Sequence, residues 1–105
     1  LHDAAEAYFA DIVRPVKPHL FGLGEIEQRI HAAIAERFGI PEVMDSRIKV
    51  ADMQLLATER RDLLLPTDDE WSCLEGVEPR FEQITAWDPE TAKQMFLQQF
   101  EELAE

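Results

Sequence analysis

Six side chains in this sequence combine types and spacings suited to metal-assisted chemistry. They are His2, Asp3, Glu6 and Asp11 near the start, Lys17 beyond a proline turn, and Asp52 far along the chain. The first four lie in Leu1-His2-Asp3-Ala4-Ala5-Glu6-Ala7-Tyr8-Phe9-Ala10-Asp11, where every other residue is Ala, Leu, Tyr or Phe. On a helix His2 and Glu6 are four apart and Asp3 and Glu6 three apart, so these three share a face. Ionised groups are costly to bury without compensation, and imidazole and carboxylate are good ligands for divalent cations. A solvated polar helix face is the competing reading of this stretch taken alone.

Asp52 strengthens the metal reading. Ile48, Ala51, Leu55, Leu56 and Leu63 form one broad apolar face, and Asp52 sits inside it, with Glu59 seven residues later on the same side. A carboxylate at a core position is paired, metal-bound, or exposed by a rotation of its helix.

The elements that carry these residues are helical. The pattern predicts a first helix from His2 to about Asp11 or Ile12, then an extended connection from Arg14 to Phe21, because Pro15 and Pro18 bracket Val16-Lys17. From Glu25 to Phe38, Ile26, Ile30, Ala33, Ile34 and Phe38 form a helical stripe, and Gly39 stands where a left-handed cap belongs. Glu27, Gln28 and Arg29 are expected mostly on its wet side; Glu27, like Glu59, is a weaker candidate to support the site, with a surface or structural role favoured for each. Pro41 is expected to open the next element, whose body runs from about Asp45 to Leu65. Residues 66–87, with Thr67-Asp68-Asp69-Glu70, Gly76 and Pro79, read as an irregular excursion. Asp88-Pro89-Glu90 is a strong helix start, and Ala92, Phe96, Phe100 and Leu103 stripe the 88–104 helix, which is expected to pack over the core. The expectation is one all-α domain over 1–105. The chain opens at Leu1, within a helical pattern and with no cap before it, and is read as the C-terminal part of a longer domain that lacks its N-terminal helices here.

Bulk properties narrow the partners. With 10 basic and 22 acidic residues among 105, the formal charge is −12. That balance argues against polymeric nucleic acid and anionic membranes, both of which are bound by pairing phosphates with Lys and Arg. A small phosphorylated substrate stays compatible, because one cation and one or two basic groups invert a local field. The single Cys73 fits a reducing cytoplasm, and no apolar run approaches the roughly 20 residues needed to span a bilayer.

The stretch His2-Asp3-Ala4-Ala5-Glu6, through Ala10-Asp11 to Pro15-Val16-Lys17, resembles the core motif of HD-domain phosphohydrolases. It looks most like the branch of bacterial 5′-deoxynucleotidases and phage nucleotide triphosphohydrolases. Val50-Ala51-Asp52 resembles that family's last metal-ligating Asp, on a long helix that follows an amphipathic one ending in Phe-Gly. The resemblance covers about residues 1–65. It implies an HD-domain-like helical bundle with one divalent cation (Mn, Fe, Co, Ni, Zn or Mg) held by His2, Asp3 and Asp52. A further His from an upstream helix has no counterpart in this sequence. The family's usual Gly before the second acid is Ala10 here.

On that resemblance the expected function is metal-dependent hydrolysis of a nucleotide or similar phosphomonoester by a metal-activated water. Glu6 would orient the water or carry its proton, Lys17 would meet phosphate oxygens, and Asp11 would contact the sugar or orient a ligand. The alternative is a helical interaction module with an incomplete or vestigial metal site. Homo-oligomerisation is left open. His19 and His31 are read as surface residues, Cys73 has no basic partner in sequence for thiolate catalysis, and Gly22-Leu23-Gly24 lacks the pattern of a phosphate loop.

Overall fold

The computed structural model describes residues 1–104. Among them are four α-helices, α1 (Glu6–Phe9), α2 (Leu23–Phe38), α3 (Ser46–Asp62) and α4 (Pro89–Leu103), together with 3-10 turns at Lys17–His19 and Ser72–Leu74 and no strand. The chain is all-helical, and none of the described helices is long and apolar enough to cross a membrane. It divides into two compact units, Leu1–Lys49 and Val50–Glu105, with the division inside α3.

The first unit begins with a tighter winding than the sequence predicts. Ala4, Glu6, Ala7 and Tyr8 donate their N–H groups to carbonyls three residues back, at 3.0–3.3 Å. Regular α geometry is confined to α1, which ends where Ala10 adopts φ 86° and ψ 162°. The expected helix from His2 to Asp11 is therefore cut to one short turn, because a non-glycine residue at that φ breaks the helical path. In a 3-10 winding residues three apart eclipse, so Asp3 and Glu6 stay on one side.

The segment expected to be extended is instead a double turn. Val16 and Lys17 both donate to the Val13 carbonyl, and Pro18 lies within the Lys17–His19 turn. The φ that proline fixes suits tight turns as well as extended chain, and here the turn prevails. α2 closes on Gly39 in the left-handed region (φ 65°), with the Gly39 and Ile40 N–H groups both directed to the Ala35 carbonyl. That is the satisfied αL ending for which glycine is the cheapest residue.

Pro41 does not open α3. Residues 40–45 are irregular, and the helix starts after Asp45, whose Oδ1 accepts the Arg47 N–H at 2.8 Å. The same carboxylate takes Arg47 Nε and Nη2 at 3.0 and 2.8 Å, closing a short-range chelate at the helix start. A side chain that satisfies an otherwise free N–H fixes the start more firmly than a proline four residues earlier.

In the second unit the buried face of α3 is not the predicted one. Ala57 and Thr58 are its buried residues, whereas Ala51, Leu55, Glu59 and Leu63 are exposed. Residues 63–88 have no regular structure beyond the turn at Ser72–Leu74, and five of their backbone groups are bonded by side chains at the end of α3. Thr58 Oγ1 accepts the Arg80 N–H at 2.8 Å, and Asp62 Oδ2 accepts the Ile84 N–H at 2.8 Å. Arg61 donates to the Arg80 and Glu82 carbonyls. Arg60 donates to the Asp69 carbonyl and lies 4.8 Å over the Trp71 ring. Irregular chain packed against a helix must find such partners, because its own ladder is missing.

α4 starts as expected. Asp88 caps it, accepting the Thr91 N–H at 2.8 Å, with Pro89 in the first turn. It does not bury its stripe: no residue of α4 is buried, Phe96 is 58 % and Leu103 77 % exposed, and Phe100 is half-buried. Amphipathic spacing specifies a face able to be covered but not what covers it.

Candidate metal and phosphate site

Four of the six predicted residues meet within the first unit. A cavity of about 310 Å³ is lined by His2, Asp3 and Glu6 from the opening turns, by Lys17 from the proline turn, and by Gly24, Glu27, Gln28 and His31 from α2. The α2 contributors follow helical spacing, which turns one polar stripe of that helix toward the cavity. Ala5, a buried residue of the opening turns, also lines the cavity.

His2 Nε2 and Asp3 Oδ2 stand 2.9 Å apart on the cavity wall. Two donors bound to one ion at about 2.1 Å and at right angles would be about 3.0 Å apart, so this spacing suits neighbouring positions of one coordination shell. The donor set, imidazole nitrogen beside carboxylate oxygen, is also that of a borderline divalent cation. On these grounds the residues fit a metal.

Glu6 is half-buried and its carboxyl is held above the ordinary range. Desolvation is the main cause, followed by repulsion from Asp3 and Asp11, and Lys17 offsets this only in part. A carboxyl shifted in this direction is a better proton acceptor when ionised. Lys17 Nζ donates to Glu27 Oε1 at 3.0 Å, and both side chains are about one-third exposed, 36 and 31 %. This hydrogen bond, together with the fields of Glu27, Glu6 and Asp11, pushes the Lys17 ammonium up from its usual value. Asp11 is exposed and does not line the cavity, yet its charge acts on both Glu6 and Lys17. Asp52 belongs to the second unit, where it lies half-buried on α3.

Sequence reasoning placed Glu27 and His31 mainly at the surface, and the structure puts both on this cavity. Glu27, expected on the wet side of α2, faces inward to Lys17. His31, read as a surface residue, is half-buried, and its Nε2 bonds the Glu42 carbonyl at 3.0 Å. Since a carbonyl only accepts, Nε2 is the donor in this contact. His31 also lines a second, more apolar cavity of about 500 Å³ with Leu1, His2, Ile40, Pro41, Val43, Met44, Asp45 and Ile48. The spacing Gly24–Glu27–His31, three and then four residues, was the available signal. It was obscured because the apolar stripe of α2 drew the reading to the opposite side. His19 and Cys73 are exposed, and no catalytic partner reaches the thiol in sequence or among the described contacts.

The chain is similar to YfdR, an uncharacterised protein of Escherichia coli K12, at 42 % identity over 107 aligned positions, covering all of this chain and 60 % of that relative. It is also similar, at 42 % identity over 52 positions, to an uncharacterised protein of Rhodobacter capsulatus, covering 49 % of this chain and 26 % of that protein. The chain therefore spans less than two thirds of the length of either relative. No protein-family profile matches it. No solved structure matches it.

Proposed function

We propose that this chain carries the catalytic face of an HD-domain-like phosphohydrolase that cleaves a nucleotide or similar small phosphomonoester in the cytoplasm. The observation that carries the reading is the cavity in which the His2–Asp3 pair, the Glu6 carboxyl and the Lys17 ammonium come together. Polar residues of these types converging on one concavity are the usual mark of a reaction site.

His2, Asp3 and Asp52 would hold the divalent cation, and the Lewis acidity it supplies when bound lowers the pKa of an attacking water. Glu6 orients that water and takes its proton, a role suited to a carboxyl whose affinity for protons is already raised. Lys17 meets the phosphate oxygens as a point charge and stabilises the charge that develops on them. Asp11, outside the cavity, shapes the field on Glu6 and Lys17 or contacts the sugar.

The test pairs metal content with turnover. Asp52→Ala is expected to lose Mn²⁺ or Co²⁺ as measured by elemental analysis after dialysis. Glu6→Ala is expected to keep the metal and lose at least a hundredfold in phosphate release from nucleoside monophosphates, the scale of a lost general base. Undiminished turnover in either variant would refute the mechanism. A wild-type protein that binds no metal and releases no phosphate would favour the interaction module, for which the exposed stripe of α4 is the supporting observation.

A further inference from the structure

Lys17 is the cavity's only ammonium, and it faces three carboxylates on the same lining, Asp3, Glu6 and Glu27. One of them, Glu27, already accepts a hydrogen bond from Lys17 at 3.0 Å. A phosphate entering this cavity without a cation would meet a wall that is negative on balance, and its one positive partner is already paired.

We infer that Glu27 is a counter-charge that restrains Lys17, so that the cavity takes up a phosphate anion only after a cation has entered. This rests on the reading of the cavity as a metal and phosphate site, and it adds an order of binding and a residue that imposes it. The physical basis is Coulombic. A carboxylate and a phosphate about 6 Å apart repel by about 0.7 kcal/mol in water and about 3 kcal/mol at an effective dielectric near 20. The corresponding change in anion affinity is roughly three- to a hundredfold. A divalent cation at His2 and Asp3 balances the two carboxylates that Lys17 leaves uncompensated, which removes the net repulsion and gives the phosphate a positive centre to meet. The hydrogen bond also sets where Lys17 points, since an ammonium on a four-carbon stem has no fixed direction of its own.

Glu27→Gln separates charge from position, because the amide oxygen still accepts from Lys17. The probe is inorganic phosphate, titrated calorimetrically into chelator-treated protein and into protein with saturating Mn²⁺. Without metal, Glu27→Gln is expected to bind phosphate roughly tenfold more tightly than wild type. Glu27→Ala, which removes the charge by a different route, is expected to move in the same direction. With Mn²⁺ the wild-type affinity should rise and the gap should narrow. Metal-free affinity that is unchanged or weaker in both variants would overturn the inference, and Glu27 would then be a structural partner only. Binding of Mn²⁺, followed separately by its electron paramagnetic resonance signal, distinguishes the two levels. If Mn²⁺ does not bind while the metal-free gap persists, the metal reading fails and the restraint of Lys17 by Glu27 stands.

Discussion

Replacing Thr58 with Val tests whether the second unit is held by packing or by hydrogen bonds. Thr58 is the most buried side chain described, at 1 % exposure. Its hydroxyl donates to the Gln54 carbonyl at 2.7 Å and accepts the Arg80 N–H at 2.8 Å. Valine keeps the shape and removes both bonds. The Gln54 carbonyl retains its helical partner, so that loss costs about 1 kcal/mol, and the Arg80 N–H is left unpaired at a part-buried position for about 1 kcal/mol more. The expected total is about 2 kcal/mol. Thr58→Ser does the reverse: it keeps both bonds and removes one buried methyl, worth about 1 kcal/mol. Both tryptophans, Trp71 and Trp87, lie in this unit, so urea unfolding followed by their fluorescence reports on it directly. With a slope of about 1–2 kcal/mol per molar, the Val variant should lose about 1–2 M in midpoint and the Ser variant about half as much. Amide exchange at Arg80 should accelerate in the Val variant and not in the Ser variant. A Ser variant less stable than the Val variant would refute the argument, because packing would then outweigh the tether.

Two further outcomes follow from local chemistry. Ala10 holds φ 86° and ψ 162°, a region that is essentially glycine's, at a strain of about 1–3 kcal/mol. After the extra unfolded-state entropy of glycine is subtracted, Ala10→Gly should stabilise by about 1 kcal/mol, read as a higher thermal midpoint, and a lower midpoint would exclude the strain. Asp62 is paired with Arg61 at 2.6 Å and bonded by the Ile84 N–H, which hold its carboxyl at about 2 against an ordinary 3.8. A lowered carboxyl contributes stability that is complete above the unfolded value and is lost as pH falls through the folded one. The stability difference between wild type and Asp62→Asn should therefore be level above about pH 5 and close between pH 4 and 2, as checked by urea midpoints across that range.

The helical class and α2 with its Gly39 ending were legible in the sequence, because apolar spacing and a cap residue are local signals. Part of the cavity lining was legible too: His2, Asp3, Glu6 and Lys17 stand out by type and spacing, whereas the α2 residues beside them do not. Winding was not legible. Nothing local announced that the opening turns tighten, helical periodicity alone placed the end of the first helix too late, and the only hint that Ala10 enters a glycine region was the Gly usual at that place in the family it resembles. Side-chain destinations were also hidden. Glu27 reads mainly as a surface acid because its partner Lys17 is 10 residues away in the chain, and nothing singles out Asp62 because the Ile84 N–H it accepts is 22 residues away. The face of α3 was misjudged for a related reason: the unit buries a threonine bonded to a loop where hydrophobicity alone favoured leucines.

The tethers on the last turns of α3 have a consequence for how the second unit comes apart. Thr58, Arg60, Arg61 and Asp62 lie within a span of five positions and hold segments at Asp69, Trp71, Arg80, Glu82 and Ile84. Unwinding the last turn of α3 would release those tethers together. The irregular chain and the end of the helix thus form one cooperative opening unit. A protease sensing that opening would cut at sites scattered from 63 to 88 with a common dependence on denaturant, as though they belonged to a single element.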